Sequence, residues 1–359
     1  YRPYLIVVDT STPSIYSDIN IADLLQKRTG AFVILTGTHV SALPEETLKK
    51  AGNIQAVAVG EYDETISELA AYLKQIEADN NGETPDWNEY KITKELTKIR
   101  GLALKKNKEV IITEERDYIE DLDKIPWVSR IYKNFFRTHL KKYFYGANRH
   151  PVIVILSRRG CPYKCTYCVY PQTMTGNKYR FRSVNDVVDE LEYIKKEFLE
   201  VKEIFLEDDT LTVNKERALQ LAKEIIKRKL KITWSTNSRA DADYETLNWL
   251  KRSGLRLVCV GFESGDQEVL NNIGKNLKVE QTFKFAKDAR KAGVLVHGCF
   301  LVGNRGDTKE TLKKTLALAK KLNPDTAQFY PIMVYPGTEA YHWMKKNNYL
   351  ITENYNEWL

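Results

Sequence analysis

Three of the five cysteines lie close together in the chain, where they could act as metal ligands. Cys161, Cys165 and Cys168 have the spacing C-x3-C-x2-C, so one loop could supply three thiolates to one centre. A [4Fe–4S] cluster takes four ligands, and three cysteines leave one iron open to an outside molecule. Structural zinc prefers a closed set of four, but Cys259 and Cys299 stand far away in apolar, strand-like runs. The pattern favours an iron–sulfur cluster over zinc.

The cysteine loop follows the first strand of a repeated strand–helix pattern that starts at Val152. About six units follow one another, which predicts an α/β fold with a parallel barrel or partial barrel. Helices at 184–197 and 215–229 carry apolar residues at helical spacing. Strands are expected at 152–156, 203–206, 231–235, 256–260, 294–301 and 326–332.

Polar residues recur where these strands end. The ends read Glu207-Asp208-Asp209, Thr236-Asn237-Ser238-Arg239, Gly261-Phe262-Glu263-Ser264, Gly303-Asn304-Arg305-Gly306 and Tyr335-Pro336-Gly337-Thr338. In parallel barrels the chemistry gathers at this edge. A single acidic residue after a strand is also often a helix cap, and Asp209 and Asp307 could be caps. Pro followed by Gly in the last group favours a type II turn.

Residues 1–75 alternate in a β-α-β-α-β-α pattern, with strands expected at 5–8, 32–35 and 56–59. This is half of a doubly wound, flavodoxin-like sheet, whose ligands bind beyond the carboxyl ends of the strands. Those ends carry small and polar residues: Asp9-Thr10-Ser11-Thr12, Thr36-Gly37-Thr38-His39 and Gly60-Glu61.

The expected domains are 1–75, a connecting region 76–150, and the barrel 151–359. Residues 76–97 read as a linker or loop. A hairpin should follow, with strands at 98–104 and 110–113 flanking a polar turn at 105–109.

Positive charge is concentrated around the cysteine loop. No Asp or Glu lies between Lys124 and Asn185, and this window holds thirteen Lys and Arg, whereas the whole chain has a net charge of +7. An anionic partner is expected. Residues 129–150 interleave cations with aromatics, which fits nucleic acid, anionic lipid headgroups, or a helix that packs its aromatics inward.

Sequence features also bound the compartment. No signal peptide and no apolar run of roughly 18 residues is evident. Clustered cysteines in such a chain fit a metal site in a reducing cytoplasm. The sequence leaves open whether the protein also contacts a membrane surface. The chain starts at Tyr1 without methionine, so we expect residues in front of it, and the end at Trp358 and Leu359 leaves the other terminus open.

The cysteine loop, with Tyr167 before its last cysteine, resembles that of the radical S-adenosylmethionine (SAM) enzymes. The resemblance implies reductive cleavage of SAM to a 5′-deoxyadenosyl radical at the open iron, with an electron donor such as flavodoxin or ferredoxin. It also implies that Asp209 binds the SAM amine, Arg239 the carboxylate and Glu263 the ribose. Tyr167 and Asn237 would belong to the same cofactor site.

The stretches LTGTHVSALPEE and VAVGEYDET resemble the cobalamin-binding domain that precedes the barrel in one large radical SAM class. The resemblance implies a corrin near the strand ends. An Asp-x-His-x-x-Gly element for cobalt is not present, and Thr36-Gly37 replaces the usual Gly-Gly. His39 could contact a corrin side chain, cap a helix, or pack beside Pro44. The implied cobalamin-site residues are Ser11, Thr12, Gly37, His39, Gly60 and Glu61.

The stretch CTYCVYPQTMTGNKYRFRS resembles the signature of hopanoid-associated radical SAM proteins, although Tyr170 replaces the usual Trp. It implies hydrogen abstraction from an unactivated carbon, followed by methyl transfer, cyclisation or ring contraction of a lipid-linked or phosphorylated substrate. Tyr170 and Tyr179 are candidate catalytic residues that could instead be packing residues. A competing hypothesis is a non-catalytic iron–sulfur or zinc module that binds nucleic acid through residues 124–185. If the chain is the enzyme, no nucleic acid partner is expected.

Overall fold

The computed structural model describes residues 3–80, 85, 87, 93–106 and 109–358. The chain divides into two compact units. The first contains residues 1–119, 166–177 and 333–359, and the second contains residues 120–165 and 178–332.

The first unit is built on a five-stranded sheet in the order β1-β2-β3-β4-β5. The first three strands run parallel, and β4 and β5 form an antiparallel hairpin beside β3. Strand β2 is buried along its whole length, as its apolar sequence FVIL requires of a central strand. The strands are β1 Leu5–Thr10, β2 Phe32–Gly37, β3 Ala56–Ala58, β4 Leu102–Lys106 and β5 Glu109–Ile112.

Helices connect these strands, and α4 packs on the sheet through Leu69 and Leu73. Gly30 follows the last residue of helix α1, and its φ of 70° suits a residue without a Cβ. The helices are α1 Ile15–Thr29, α2 Thr38–Ala42, α3 Pro44–Lys50, α4 Asp63–Asp79 and α5 Lys94–Lys98, and helix Glu339–Lys346 also belongs to this unit.

The strands and the hairpin expected in this region are confirmed, but the loop expected at 76–97 is wrong at both ends. Helix α4 continues to Asp79, and Thr93 begins α5 by accepting a hydrogen bond from the Leu96 N–H at 3.1 Å. Lys98, expected to begin the hairpin, therefore ends a helix instead. The turn residue Asn107 lies outside the described residues.

The second unit is a parallel six-stranded sheet whose spatial order, β13-β12-β11-β10-β9-β6, follows the chain. Because each strand adds beside the last in the same direction, the helices cover one face, as the partial barrel requires. Ile204, Val258 and Phe300 pack against those helices in one core. The sheet strands are β6 Val152–Ile155, β9 Glu203–Leu206, β10 Trp234–Ser238, β11 Leu255–Glu263, β12 Leu295–Val302 and β13 Thr326–Pro331, and a small ladder pairs β7 Arg158–Arg159 with β8 Arg180–Phe181.

Seven helices accompany these strands: α6 Val128–Ile131, α7 Val184–Glu197, α8 Lys215–Lys227, α9 Tyr244–Arg252, α10 Gln267–Asn272, α11 Val279–Ala292 and α12 Lys309–Leu322. All six barrel strands were anticipated, but the third was placed too early. It begins at Trp234, whose pairing with Ile204 sets the register, and it ends at Ser238. Of the helices in the described part of the chain, none is long and apolar enough to cross a membrane.

Candidate cofactor site

The cysteine loop leaves the carboxyl end of β6 and is closed at its base by the β7–β8 ladder. Residues 160–168 have no regular secondary structure. All three cysteines are thiols outside any disulfide, and all three are of intermediate burial. Cys161 and Cys165 belong to the second unit and Cys168 to the first.

A buried polar network fixes the start of this loop. The Ser157 N–H donates to Asp208 Oδ1 at 2.8 Å, and its hydroxyl donates to Asp208 Oδ2. Arg217 of α8 donates to the carbonyls of Ser157 at 3.1 Å and Arg182 at 3.0 Å. The network joins β6, β9 and β8, so the entry to the cysteine loop cannot shift alone. The sequence did not single out Arg217, because one arginine in a charged helix looks like a surface residue.

Asp209 lies beside the first cysteine. Burial raises the pKa of its carboxyl, and Arg158 opposes that shift from 3.8 Å away. The Arg158 guanidinium is fully buried and lies 5.1 Å from the Tyr179 ring centroid. Burial also raises the pKa of the Cys161 thiol, and Asp209 adds to that rise. A cation at this point would favour the charged form of both groups.

Arg239 follows β10 and joins three segments. Its Nη2 donates to the carbonyls of Lys275 at 2.6 Å and Asn276 at 3.1 Å. Its Nε lies 3.2 Å from Asp241, and its guanidinium lies 3.6 Å from the Tyr163 ring centroid, within the cysteine loop. The side chain therefore holds the loop after α10 against the cysteine loop.

Gly274 permits this close approach. Its φ is 65°, and a Cβ at this position would lie 2.6 Å from the Lys164 carbonyl oxygen. Any side chain would push the two backbones apart, so glycine is required here.

Glu263 ends β11 with a positive φ of 63° and forms a buried ion pair with Lys275 at 2.7 Å. Burial lowers the pKa of Lys275, but Glu263 and Cys165 outweigh it, so the pKa lies above its ordinary value. Gly261 leaves room for the pair, because a Cβ there would lie 2.1 Å from Glu263 Oε1. The sequence anticipated Glu263 and missed Lys275, which comes after a helix rather than after a strand.

The other polar residues of this sheet have structural partners. Asn237 donates to the Asp208 carbonyl at 3.0 Å. Asp307 accepts from the N–H groups of Gly303 and Asn304 and so closes its own loop. The Cys299 sulfur lies 3.5 Å from the Tyr330 hydroxyl, and burial together with Cys299 raises the pKa of Cys259 to about 12.

In the first unit, Gln172 organises the second half of the cysteine loop. Its amide donates to the Cys168 carbonyl at 2.8 Å and accepts from the Glu339 N–H at 2.9 Å. Tyr170 beside it is exposed. The expected type II turn at residues 335–338 is confirmed by Gly337, with φ of 83°, and by the Thr338 N–H, which donates to the Tyr335 carbonyl.

The strand ends of the first unit bring His39 and Thr12 together. His39 Nδ1 lies 3.1 Å from Thr12 Oγ1, and its ring meets Tyr355 edge-on at 4.9 Å. Burial lowers the pKa of His39 to about 4. His39 is therefore buried within α2 against Thr12 and Tyr355, and a contact with a corrin stays a prediction.

The other candidates at these strand ends differ in burial. Glu61 is buried and accepts from the Ile119 N–H at 2.9 Å, and Gly37 is buried with φ of 112°. Ser11 is exposed and shares a hydrogen bond with Ser14. The Gly60 N–H donates to Ser41 Oγ at 3.0 Å.

The cysteine loop fits an iron–sulfur cluster by its donor chemistry. It offers three thiols that are not in disulfides, and thiolate is the ligand that such clusters use. Among the described residues no three Cys, His, Asp or Glu side chains stand close enough to hold a metal ion. The fit therefore rests on the donor set and its loop rather than on preformed coordination geometry.

Comparisons with known proteins identify relatives of this chain. The family model of the radical SAM superfamily matches residues 155–319. An uncharacterized methyltransferase of Pyrococcus horikoshii is 31% identical over all of this chain and 73% of its own length. The anaerobic magnesium-protoporphyrin IX monomethyl ester cyclase of Cereibacter sphaeroides is 27% identical over 95% of this chain and 53% of its own length. The chain thus spans about half to three quarters of these relatives.

A solved structure shares the fold. It is TsrM from Kitasatospora setae, a radical S-adenosylmethionine methyltransferase with cobalamin and a [4Fe–4S] cluster bound. The match has a TM-score of 0.74 and 19% identity, and it covers 97% of this chain and 65% of TsrM. The expected α/β fold, with a partial barrel after part of a cobalamin-binding-type sheet, is confirmed.

Proposed function

Because this chain belongs to the radical SAM superfamily, we propose that it is a radical SAM enzyme in which Cys161, Cys165 and Cys168 hold a [4Fe–4S] cluster. When bound, the cluster supplies the electron that cleaves SAM to a 5′-deoxyadenosyl radical. The loop would be held by the Ser157–Asp208–Arg217 network on one side and by the contacts of Arg239 on the other. An electron donor such as flavodoxin or ferredoxin is part of the proposal.

The observation that carries the proposal is the position of Asp209, Arg239 and Glu263 around Cys161 and Cys165 at one edge of the parallel sheet. Asp209 would bind the SAM amine, whose charge would offset the burial that raises the pKa of Asp209. Arg239 would bind the carboxylate and Glu263 the ribose hydroxyls. Tyr167 and Asn237 would complete the SAM site.

We also propose cobalamin as a cofactor, bound at the strand ends of the first unit. The fold shared with cobalamin-bound TsrM supports this. Cobalamin would supply a methyl group, or would accompany a reaction that rearranges carbon. Ser11, Gly37 and Gly60 would contact the corrin, whereas Thr12, His39 and Glu61 already have protein partners and would shape the wall behind it.

The proposed reaction is hydrogen abstraction from an unactivated carbon, followed by methyl transfer or by cyclisation or ring contraction. A methyltransferase at 31% identity and a cyclase at 27% support these two outcomes. The substrate would be an anionic small molecule, lipid-linked or phosphorylated, because the cysteine loop lies in a window without acidic residues. Tyr170 and Tyr179 stay candidates for contact with that substrate.

The domain boundaries at 75 and 150, the hopanoid-like signature, and a cytoplasmic protein that contacts a membrane also stay proposals. They bear on where the substrate comes from rather than on how SAM is cleaved.

Anaerobic reconstitution with iron and sulfide tests the chemistry. The chain should become brown, its reduced EPR signal should change when SAM is added, and 5′-deoxyadenosine should appear. Replacing Cys161, Cys165 or Cys168 by Ser should abolish all three readouts, whereas Cys259→Ser and Cys299→Ser should keep them. A colourless zinc protein with an RNA affinity that falls steeply with salt would contradict the proposal.

Cobalamin needs a separate test. The chain mixed with hydroxocobalamin should retain a corrin absorption band after gel filtration. Ser11→Trp, at an exposed strand end, should remove the band, while Lys74→Trp, on the exposed side of α4, should not. Equal retention by both variants would place the corrin elsewhere.

A further inference from the structure

Residues 128–149 form a surface that the proposed chemistry does not use. The segment runs through α6, a turn of π-helix at Tyr132–Phe136 and a turn of 3-10 helix at Arg137–Lys142. Tyr132 and Leu140 pack on the barrel core. The Tyr145 ring lies 4.8 Å from that of Phe205. These three inward contacts attach the segment to the barrel.

The other large apolar side chains of the segment point to solvent. Phe135 is 72% exposed and Phe144 is 76% exposed, although both are fully apolar. Phe136 and Tyr143 form an edge-to-face pair at 5.8 Å and are also exposed, as is Ile131. A helix that simply packs its aromatics inward does not account for this arrangement. Contiguous exposed apolar groups mark an interaction site.

Cations surround these aromatics, and they fall into two groups. Lys133 is paired with Glu197 at 2.6 Å, and the Arg137 guanidinium lies 5.9 Å from the Phe198 ring centroid. Lys141, Lys142 and Arg149 are exposed, and in the described part of the chain no carboxylate lies within ion-pair distance of their charged side-chain groups. We call Ile131, Phe135, Phe136, Tyr143 and Phe144, together with Lys141, Lys142 and Arg149, the basic aromatic face.

We propose that the basic aromatic face docks on the surface of an anionic lipid bilayer. Aromatic side chains enter the interface between headgroups and acyl chains, and lysines beside them attract anionic headgroups. Nucleic acid fits less well, because strong binding needs many phosphate contacts and two of these five cations, Lys133 and Arg137, already have partners.

The attachment of the face to the barrel gives this docking an orientation. The backbone N–H of Arg149 donates to the Glu203 carboxylate at 2.6 Å, and the Arg256 guanidinium donates to the Ala147 carbonyl at 2.8 Å. Glu203 and Arg256 stand at the amino ends of β9 and β11. The face therefore borders the amino end of the sheet, opposite the edge that carries Asp209 and Glu263. A bilayer on this side would leave that edge open to SAM. Docking depends on none of the proposed chemistry.

Vesicle co-sedimentation tests the proposal. The chain should sediment with vesicles of phosphatidylglycerol and phosphatidylcholine and much less with phosphatidylcholine alone. The double variant Phe135→Ser/Phe144→Ser should lower the partition coefficient by about tenfold or more. Lys141→Gln/Lys142→Gln should lower it by about fivefold for each lysine.

Matched controls exclude a general loss of apolar or basic surface. Phe283→Ser replaces an exposed phenylalanine of α11, and Lys309→Gln/Lys313→Gln removes two exposed lysines of α12. Both controls should sediment as the parent chain does. Unchanged partitioning of the double variant Phe135→Ser/Phe144→Ser overturns the proposal. The proposal also fails if the chain binds RNA and no vesicles, and the substitutions at Phe135 and Phe144 abolish the RNA binding. It fails as well if the chain is a dimer in gel filtration and these substitutions dissociate it.

Discussion

The Lys275 ammonium lies 2.7 Å from the Glu263 carboxylate, and both residues are buried, at 7% and 5% exposure. Lys275→Met would leave Glu263 as a buried charge without this partner, at a cost of about 3–5 kcal/mol in the free energy of unfolding. Adding Glu263→Gln to that variant should recover part of the loss. Urea unfolding of the two single variants and the double variant measures the coupling.

The control for this pair lies close by in the chain. Lys314 pairs with Asp266 at the same 2.7 Å, but its side chain is 61% exposed, so Lys314→Met should cost less than about 1 kcal/mol. Equal costs for Lys275→Met and Lys314→Met would show that burial does not strengthen the Glu263 pair.

Arg239→Lys should weaken SAM binding, and because Arg239 also holds the cysteine loop, the variant should retain somewhat less iron. Lysine cannot donate to the Lys275 and Asn276 carbonyls and stack on Tyr163 at once, and it lacks the planar fork that suits a carboxylate. We expect a loss of about 1.5–3 kcal/mol in SAM affinity, as for a hydrogen bond to a charged group. Titrating SAM against the reduced EPR signal gives the dissociation constant. If the iron-loaded fraction of the variant binds SAM as tightly as the parent chain does, Arg239 holds the loop and not the cofactor.

Arg217→Met should loosen the cysteine loop without touching it. The Ser157 and Arg182 carbonyls would lose their buried donor, and Asp208 would lose a nearby positive charge. We expect the chain to be destabilised by about 3 kcal/mol and to retain less iron after reconstitution. Lys227→Met on the same helix replaces a lysine that is 77% exposed and should change neither quantity. Full iron retention by Arg217→Met would count against the role of the network.

The sequence predicted those features that depend on local pattern. Apolar runs placed all six barrel strands, and the polar residues that follow them include Asp209, Arg239 and Glu263, whose roles toward SAM stay a prediction from the family resemblance. The start of β10 shows where this method fails, because Ile232 extends the apolar run before Trp234 and only pairing with Ile204 fixes Trp234 as the first residue of the strand.

Partners from distant parts of the chain could not be predicted. Lys275 follows a helix and Arg217 lies within one, so neither stands where strand ends collect functional residues. The fold buries Lys275 against the Glu263 carboxylate, 12 positions away in the chain, and Arg217 against the Ser157 carbonyl, 60 positions away. For His39 the sequence left several roles open, and only the fold brings Tyr355 onto its ring.

His39 should make the first unit less stable in mild acid. The histidine is buried and neutral, with its pKa lowered from 6.5 to about 4, while Glu46 slightly raises and Lys50 slightly lowers that value. Between these two pKa values the unfolded chain binds more protons than the folded chain. The free energy of unfolding therefore falls as the pH drops from about 6.5 to about 4, by as much as about 3 kcal/mol.

Urea unfolding at several pH values in this window measures that slope. His39→Gln keeps a polar group within reach of Thr12 but removes the titrating ring, so its slope should be flatter than that of the parent chain. His139→Gln replaces an exposed histidine and should leave the slope unchanged. If stability falls with pH equally in His39→Gln and in the parent chain, His39 can take up a proton while it keeps its edge-on contact with Tyr355. The site would then be more open to water than its burial indicates.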